Sequence, residues 1–212
     1  MEQVFDFLKE YKALYQPKTT PAIIDVPEMV FFAVDGKGNP NEPDGEYSKA
    51  VGLLYALSYT VKMSEKGKTR LAGFFPYKVA PLEGLWQMAG GVPGVDYQNK
   101  DAFEWTSMIR QPEFVDETVF DWACGEVRRK KGLDTSRARL LRFHEGLCVQ
   151  MMHIGPYDAE PASVEKMDTF LTENGYRNDL GLLRHHEIYL GDPSKSAPEK
   201  LKTILRHPVV KI

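Results

Sequence analysis

Cysteine is scarce in this 212-residue chain, which has only Cys124 and Cys148. Two cysteines cannot build a disulfide framework, and neither stands in a Cys-x-x-Cys or other metal-type spacing. An excess of one charge is missing too. The 27 Lys and Arg stand against 30 Asp and Glu, a formal net charge of −3, so no broad basic field awaits a nucleic-acid backbone. No apolar run reaches the roughly 18 residues that a membrane-spanning helix needs. The first residues, MEQVFDFLKEYKALYQP, carry Glu2, Asp6 and Glu10 and lack the basic start and apolar centre of a secretory signal. These absences predict a cytoplasmic protein with no nucleic-acid and no membrane partner.

Several catalytic signatures are also missing. Gly-x-Ser-x-Gly does not occur, and the cysteines have no local base, so acyl-enzyme chemistry has no support. The loop Gly36-Lys37-Gly38 lacks the third glycine of a dinucleotide fingerprint and the Gly-Lys-Ser/Thr of a phosphate loop. It reads as a turn carrying positive φ. His144, His153 and His207 are scattered singly, and the neighbours His185 and His186 point opposite ways on a strand. Neither metal nor cofactor is expected.

What is present is a regular alternation of element types. Val4, Phe5, Leu8, Tyr11 and Tyr15 predict a lead-in helix ended by Pro17. IIDVPEMVFFAVDGKGNP predicts extended chain. Residues 44–62 carry Tyr47, Val51, Leu54, Ser58 and Val61 on one helical stripe, closed by the turn SEKGKTR. FFPYKVAPLEGLWQMA and AFEWTSMIR read as a hairpin across the turn-rich AGGVPGVDYQNKD. A helix over 116–131 ends in Arg128-Arg129-Lys130-Lys131 before Gly132, cations at the negative end of its dipole. LRFHEGLCVQMMHIG is extended, Asp158 is placed to cap a helix carrying Val164, Met167, Phe170 and Leu171, and LLRHHEIYLGDP and EKLKTILRHPVVKI follow.

Each half therefore runs strand, helix, strand, strand. The expected fold is α+β: two strand–helix–strand–strand modules forming a mainly antiparallel sheet, with helices on one face and a ligand groove on the other. Expected boundaries within the single domain 1–212 are a lead-in over 1–26, a first module over 27–114, a linker helix over 115–138 and a second module over 139–212.

The stretch His185-His186-Glu187-Ile188-Tyr189-Leu190 carries the most chemistry. On a strand, His185, Glu187 and Tyr189 share one face, while His186, Ile188 and Leu190 share the other. The apolar face should pack beneath the helices and leave Glu187 toward the groove. A desolvated carboxylate there would attract a cation or position a water. A surface strand with a salt-bridged Glu187 fits the same pattern. In the first half, Glu83 and Trp86 in Pro81-Leu82-Glu83-Gly84-Leu85-Trp86 are the counterparts, with Gly84 a candidate bulge that re-aims them. Phe103 and Trp105 share a strand face, and Tyr55 and Tyr59 flank the buried helix stripe. Each ring alone suits a core; together they suit a pocket between modules.

Five segments, VDGKGNPNEP (34–43), PLEGLW (81–86), MMHIGPYDAEP (151–161), HHEIYLGDP (185–193) and APEKLKTILRHPV (197–209), resemble in the same order the GyrI-like small-molecule-binding proteins. The resemblance is to the stand-alone branch, without an attached DNA-binding region. It implies two modules related by a pseudo-twofold, and a groove that takes bulky, flat, often cationic compounds on aromatic walls around a central glutamate, matched here by Glu187. Some similar stand-alone members hydrolyse the cyclopropane ring of DNA-alkylating natural products, and others inhibit DNA gyrase by protein contact.

The expected function is binding of planar hydrophobic or cationic xenobiotics, with hydrolysis of a cyclopropane ring using Glu187 and a hydroxyl of Tyr55 or Tyr157. Trp86, Phe103, Trp105, Tyr189, His185 and Glu83 are the expected ligand contacts. Sequestration without turnover and gyrase inhibition are the alternatives. The expected partner is the small molecule, and the expected state a monomer or weak dimer.

Overall fold

The computed structural model describes residues 4–67, 69–179, 184–193 and 195–212. Glu2 of the expected lead-in helix, Lys68 of the expected turn, and Leu182 and Leu183 of an expected strand lie outside the described residues. The helices are α1 (Phe7–Glu10), α2 (Lys12–Tyr15), α3 (Glu46–Lys62), α4 (Glu117–Lys131) and α5 (Pro161–Glu173). The strands are β1 (Ala22–Lys37), β2 (Leu82–Met88), β3 (Phe103–Arg110), β4 (Ala138–Ile154), β5 (Tyr176–Asn178), β6 (His185–Tyr189) and β7 (Lys202–Lys211). None of these helices is long and apolar enough to cross a membrane.

All strand pairings are antiparallel, in the order β4-β1-β3-β2-β6-β7-β5, and β4 also pairs with β7. Six strands thus close into a ring. Closure comes from the length of β4, 17 residues, which pairs with β1 along one side and presents Cys148–Ile154 to β7 on the other. The expected β2–β3 hairpin is present, from Leu82 opposite Ile109 to Met88 opposite Phe103. Gly84 is no bulge: it pairs regularly with Ser107 and Glu187.

Closure gives each strand an inward and an outward face. Along β2 and β6, Glu83, Leu85, His186 and Ile188 share the inner face, and Gly84, Trp86, His185, Glu187 and Tyr189 the outer one. Helices cover the outer face. Leu54, Leu57 and Val61 of α3 are buried over β1 and β3, each contributing about 1.5–3 kcal/mol gross. Met167 and Leu171 of α5 pack with Val149, Met151, Leu205 and Val209. The α4 N-terminus is capped by Asp116, which accepts from Val119 N, and Gly132 ends it at φ 65°. Asp158 does not cap α5: Glu160 holds that position, and Asp158 pairs with Lys100 at 2.7 Å instead.

The interior is polar where β2, β4, β6 and β7 meet. His186 bridges Glu145 (3.0 Å) and Glu83 (3.0 Å), and Arg206 reaches Glu145 (3.4 Å), Gln150 (3.0 Å) and the carbonyl of Leu14 (2.9 Å). Burial disfavours the His186 cation, yet Glu145 and Glu83 raise its pKa. Burial likewise opposes the Glu145 anion, yet His186 and Arg206 hold its carboxyl below the ordinary range. The N-terminal segment plugs this interior. The expected single helix breaks at Tyr11, which gathers Phe7, Tyr11 and Tyr15 around Arg110 at 5.1, 4.0 and 6.0 Å. Tyr15 then donates to Glu83 at 3.1 Å.

Three stability outcomes are expected. Arg206→Met leaves Glu145 short of a partner and should cost about 3–5 kcal/mol in urea unfolding. A Cβ on Gly36 would fall 2.2 Å from the Trp105 ring, so Gly36→Ala should cost about 1–3 kcal/mol. A Cβ on Gly52 in α3 meets nothing within 4 Å, so Gly52→Ala should add about 0.5–1 kcal/mol.

Candidate functional site

A cavity of about 920 Å³ opens on the outer face, between α3 and the short 3₁₀ turn Tyr157–Ala159 that precedes α5. This size suits a drug-sized ligand. Trp86 of β2 and Glu187 and Tyr189 of β6 line it together with Tyr47, Val51, Tyr55 and Tyr59, which recur every fourth residue along α3. The expected groove on a helix-free face is therefore corrected. Ring closure turns the His186–Ile188 face inward, so Glu187 looks out into the gap between helices.

The aromatic wall is continuous. Tyr157 meets Tyr189 edge-on at 5.7 Å, Trp86 meets Phe103 at 5.6 Å and Tyr47 at 5.3 Å, and Tyr97 meets Phe103 at 6.3 Å. Trp86 Nε1 donates to the Tyr189 hydroxyl at 2.9 Å. A Cβ at Gly84 would lie 2.6 Å from that indole nitrogen, which is why this strand position is bare. Burial, with Glu187 next, raises the pKa of Tyr47, and raises that of Tyr157 to about 12, so both hydroxyls keep their protons near neutrality.

Beneath the wall lies a second charged centre. His185 Nε2 stands 3.1 Å from Glu160 Oε2 and 3.3 Å from Glu187 Oε1, and its Nδ1 is 2.9 Å from His207 Nε2. The Tyr97 hydroxyl donates to Glu160 Oε2 at 2.7 Å. Burial opposes a cation on His185, but the two carboxylates prevail and raise its pKa to about 9. Burial and the Glu187 charge push Glu160 up to about 7, against the pull of His185. Burial and the His185 cation drive His207 down to about 3, so it serves as a neutral acceptor. Glu160, His185 and Glu187 also bring one donor atom each within 4.8 Å of one another. Within this cluster, His185 is hydrogen-bonded to Glu160 and in ion-pair contact with Glu187.

Of the expected site residues, Glu187, Tyr55, Tyr157, Trp86, Phe103 and Tyr189 line the cavity. Three do not. Glu83 is on the inner face, bonded to His186 and Tyr15. Trp105 lies against Gly36 and props Tyr47 edge-on at 5.1 Å. His185 is buried, with Nε2 3.3 Å from Glu187. Tyr47, Tyr97 and Glu160 were not singled out by sequence reasoning. Tyr47 opens the four-residue repeat on α3, a signal that was available; Tyr97 sits in a turn-rich segment without periodicity.

Charge at the mouth is balanced. Asp6, Asp158 and Asp192 each pair with a lysine, Lys78 (2.8 Å), Lys100 (2.7 Å) and Lys195 (2.8 Å). Glu187, the fourth acid of the wall, pairs with His185 instead.

The chain belongs to the GyrI-like family: the model of the GyrI-like small molecule binding domain matches residues 19–210. A hydrolase from Listeria innocua is 51% identical with a TM-score of 0.88, the match covering 97% of this chain and 100% of that one. An uncharacterized conserved protein from Listeria innocua is 52% identical with a TM-score of 0.91, over 97% and 100%. The C-terminal domain of EcmrR shares the fold alone, at 12% identity and a TM-score of 0.51, over 91% and 98%. Comparison with curated proteins gives no match.

The raised pKa of His185 has a consequence for stability. Between its ordinary 6.5 and about 9 the folded chain holds a proton that the unfolded chain has released. The stabilisation is complete below 6.5 and is lost as pH climbs through 9. Thermal unfolding across this window should show a falling midpoint, and His185→Asn should flatten the fall.

Proposed function

We propose that this protein binds flat, hydrophobic xenobiotics in the aromatic cavity and hydrolyses the strained cyclopropane ring of DNA-alkylating members of that class. The observation carrying this reading is Glu187, a carboxylate 5% exposed, set in a wall of rings and backed by an imidazole at 3.3 Å. Membership of a small-molecule-binding family supports the binding half. The 51% identity to a Listeria innocua hydrolase supports the catalytic half.

A planar substrate stacks against Trp86 and Phe103 by offset or edge contacts. Glu187 takes a proton from a water molecule while the water oxygen bonds to the ring methylene carbon. The strained C–C bond breaks, and its electron pair moves through the conjugated system to the carbonyl oxygen, which becomes a phenolate. Tyr157, or Tyr55 at the mouth, donates a hydrogen bond to that oxygen as charge gathers. The proton on Glu187 then passes to the phenolate, leaving the hydrated, ring-opened product and a free carboxylate. General-base help of this kind contributes roughly 10²–10⁴-fold, and relief of ring strain lowers what the protein must supply.

Incubation of purified protein with a cyclopropane-bearing alkylator, followed by mass spectrometry, should reveal product heavier by one water. Glu187→Gln should reduce turnover by roughly 10²-fold or more while still binding neutral planar ligands. No turnover above buffer by the wild type overturns the catalytic reading. Retained thermal stabilisation by planar cations, lost in Glu187→Gln, would then identify a sequestering protein in which Glu187 is a counter-charge.

A further inference from the structure

Glu160 is the group that the hydrolytic scheme leaves unused. It is fully buried, and one of its carboxylate oxygens, Oε1, has no hydrogen-bond partner among the described residues. Such a group costs stability unless something else requires it. Its placement is specific. The 3₁₀ turn that sets Tyr157 in the cavity wall ends at Glu160, and Pro161 at the first position of α5 fixes the chain beyond. Glu160 Oε2 thereby receives the Tyr97 hydroxyl at 2.7 Å and faces His185 Nε2 at 3.1 Å. The same Nε2 lies 3.3 Å from Glu187, and Nδ1 is engaged by His207 at 2.9 Å.

We propose that Glu160 is a positioning residue: through His185, and braced by Tyr97, it fixes the orientation of Glu187 and keeps that carboxylate ready to accept a proton. This rests on the hydrolytic reading of Glu187. With both imidazole nitrogens protonated, His185 donates Nδ1–H to His207 and Nε2–H to Glu160, with Glu187 in ion-pair contact at 3.3 Å. When Glu187 accepts a proton from water, the Nε2–H bond to Glu160 stays in place, so the imidazolium keeps a charged partner through the step. When Glu187 releases that proton, its ion pair with His185 is restored. No proton leaves His185, and no other reactant is needed.

The groups facing this centre come from every element packed on it. Glu187 and Tyr189 belong to β6, His207 to β7 and Tyr97 to the β2–β3 connection. His153 of β4, Tyr47 of α3 and Tyr157 complete the surroundings. Lys166 of α5 and Asp158 act on this centre through His153 and Tyr97; among the described residues, the ion-pair partner of both Glu160 and Glu187 is His185.

The test compares wild type with Glu160→Gln and, as the milder change, Tyr97→Phe. Two readouts are taken: the titration of His185 by NMR of imidazole-labelled protein, and the pH dependence of kcat and KM on a cyclopropane-bearing alkylator. Glu160→Gln should move the His185 titration to lower pH. It should also lower kcat roughly tenfold or more, with KM within about twofold, and shift the limbs of the pH profile. Tyr97→Phe should do the same to a smaller degree. An unmoved His185 titration in both variants overturns the proposal, as does a wild-type kcat in a variant whose His185 titration has moved. Absence of turnover by the wild type overturns the hydrolytic reading instead, and the His185 titration then decides on its own whether Glu160 governs that imidazole.

Discussion

Successive side chains on a strand point to opposite faces, and on β6 this alternation separates two histidines that are neighbours in the chain. Because the sheet closes through β4 and β7, the two faces are a sealed interior and a surface covered by helices. His186 enters the first and His185 the second. Each meets a pair of carboxylates, Glu83 with Glu145 inside and Glu160 with Glu187 outside. A one-residue slip in β6 would exchange the two imidazoles and pair each with the wrong environment. Register in this five-residue strand is therefore the constraint on which both the plugged interior and the cavity floor depend.

The two centres differ in how far their charge is answered. Inside, Glu83 and Glu145 face the His186 cation and Arg206, with Gln150 and the Leu14 carbonyl taking the remaining guanidinium protons. Two carboxyl groups meet an imidazole and a guanidinium and the hydrogen bonding is nearly complete, the condition under which buried charge is tolerated. Outside, two carboxylates share one imidazole, and burial leaves Glu160 raised to about 7. An under-neutralised set of acids next to a cavity is the arrangement expected of a working site. The nearly balanced set, remote from the cavity, anchors the N-terminal segment.

Sequence periodicity carried the helices well. The α3 and α4 spans differ from expectation by no more than two residues, because α3 keeps a buried stripe and α4 has Asp116 and Gly132 at its ends. The alternation placing His185, Glu187 and Tyr189 together was also legible, since a strand has only two faces. Ring closure was not. The pairing of Cys148–Ile154 with Lys202–Pro208 joins segments about fifty residues apart, and no local pattern encodes such a partner. Missing it misplaced the groove, and with it Glu83, whose acid-beside-aromatic context looked the same from either face. Tyr97 and Glu160 were hidden for a different reason. They lie in a turn-rich loop and a one-turn 3₁₀ segment, where side-chain direction follows tertiary contacts and not a repeat.

The cavity is built from parts of unequal firmness. Its floor is held by buried hydrogen bonds among Tyr97, Glu160, His185 and His207, and by Trp86 on Tyr189. Low local dielectric strengthens each of these bonds and penalises the loss of any one. The mouth is tied by three lysine–aspartate pairs that reach into solvent, each worth about 0–1 kcal/mol. Two of them join separate segments, Asp6 to Lys78 and Lys100 to Asp158. The cavity thus joins weakly tied segments at its entrance to a floor in which the Glu187 carboxylate is held against His185, so its rim can adjust more readily than its floor.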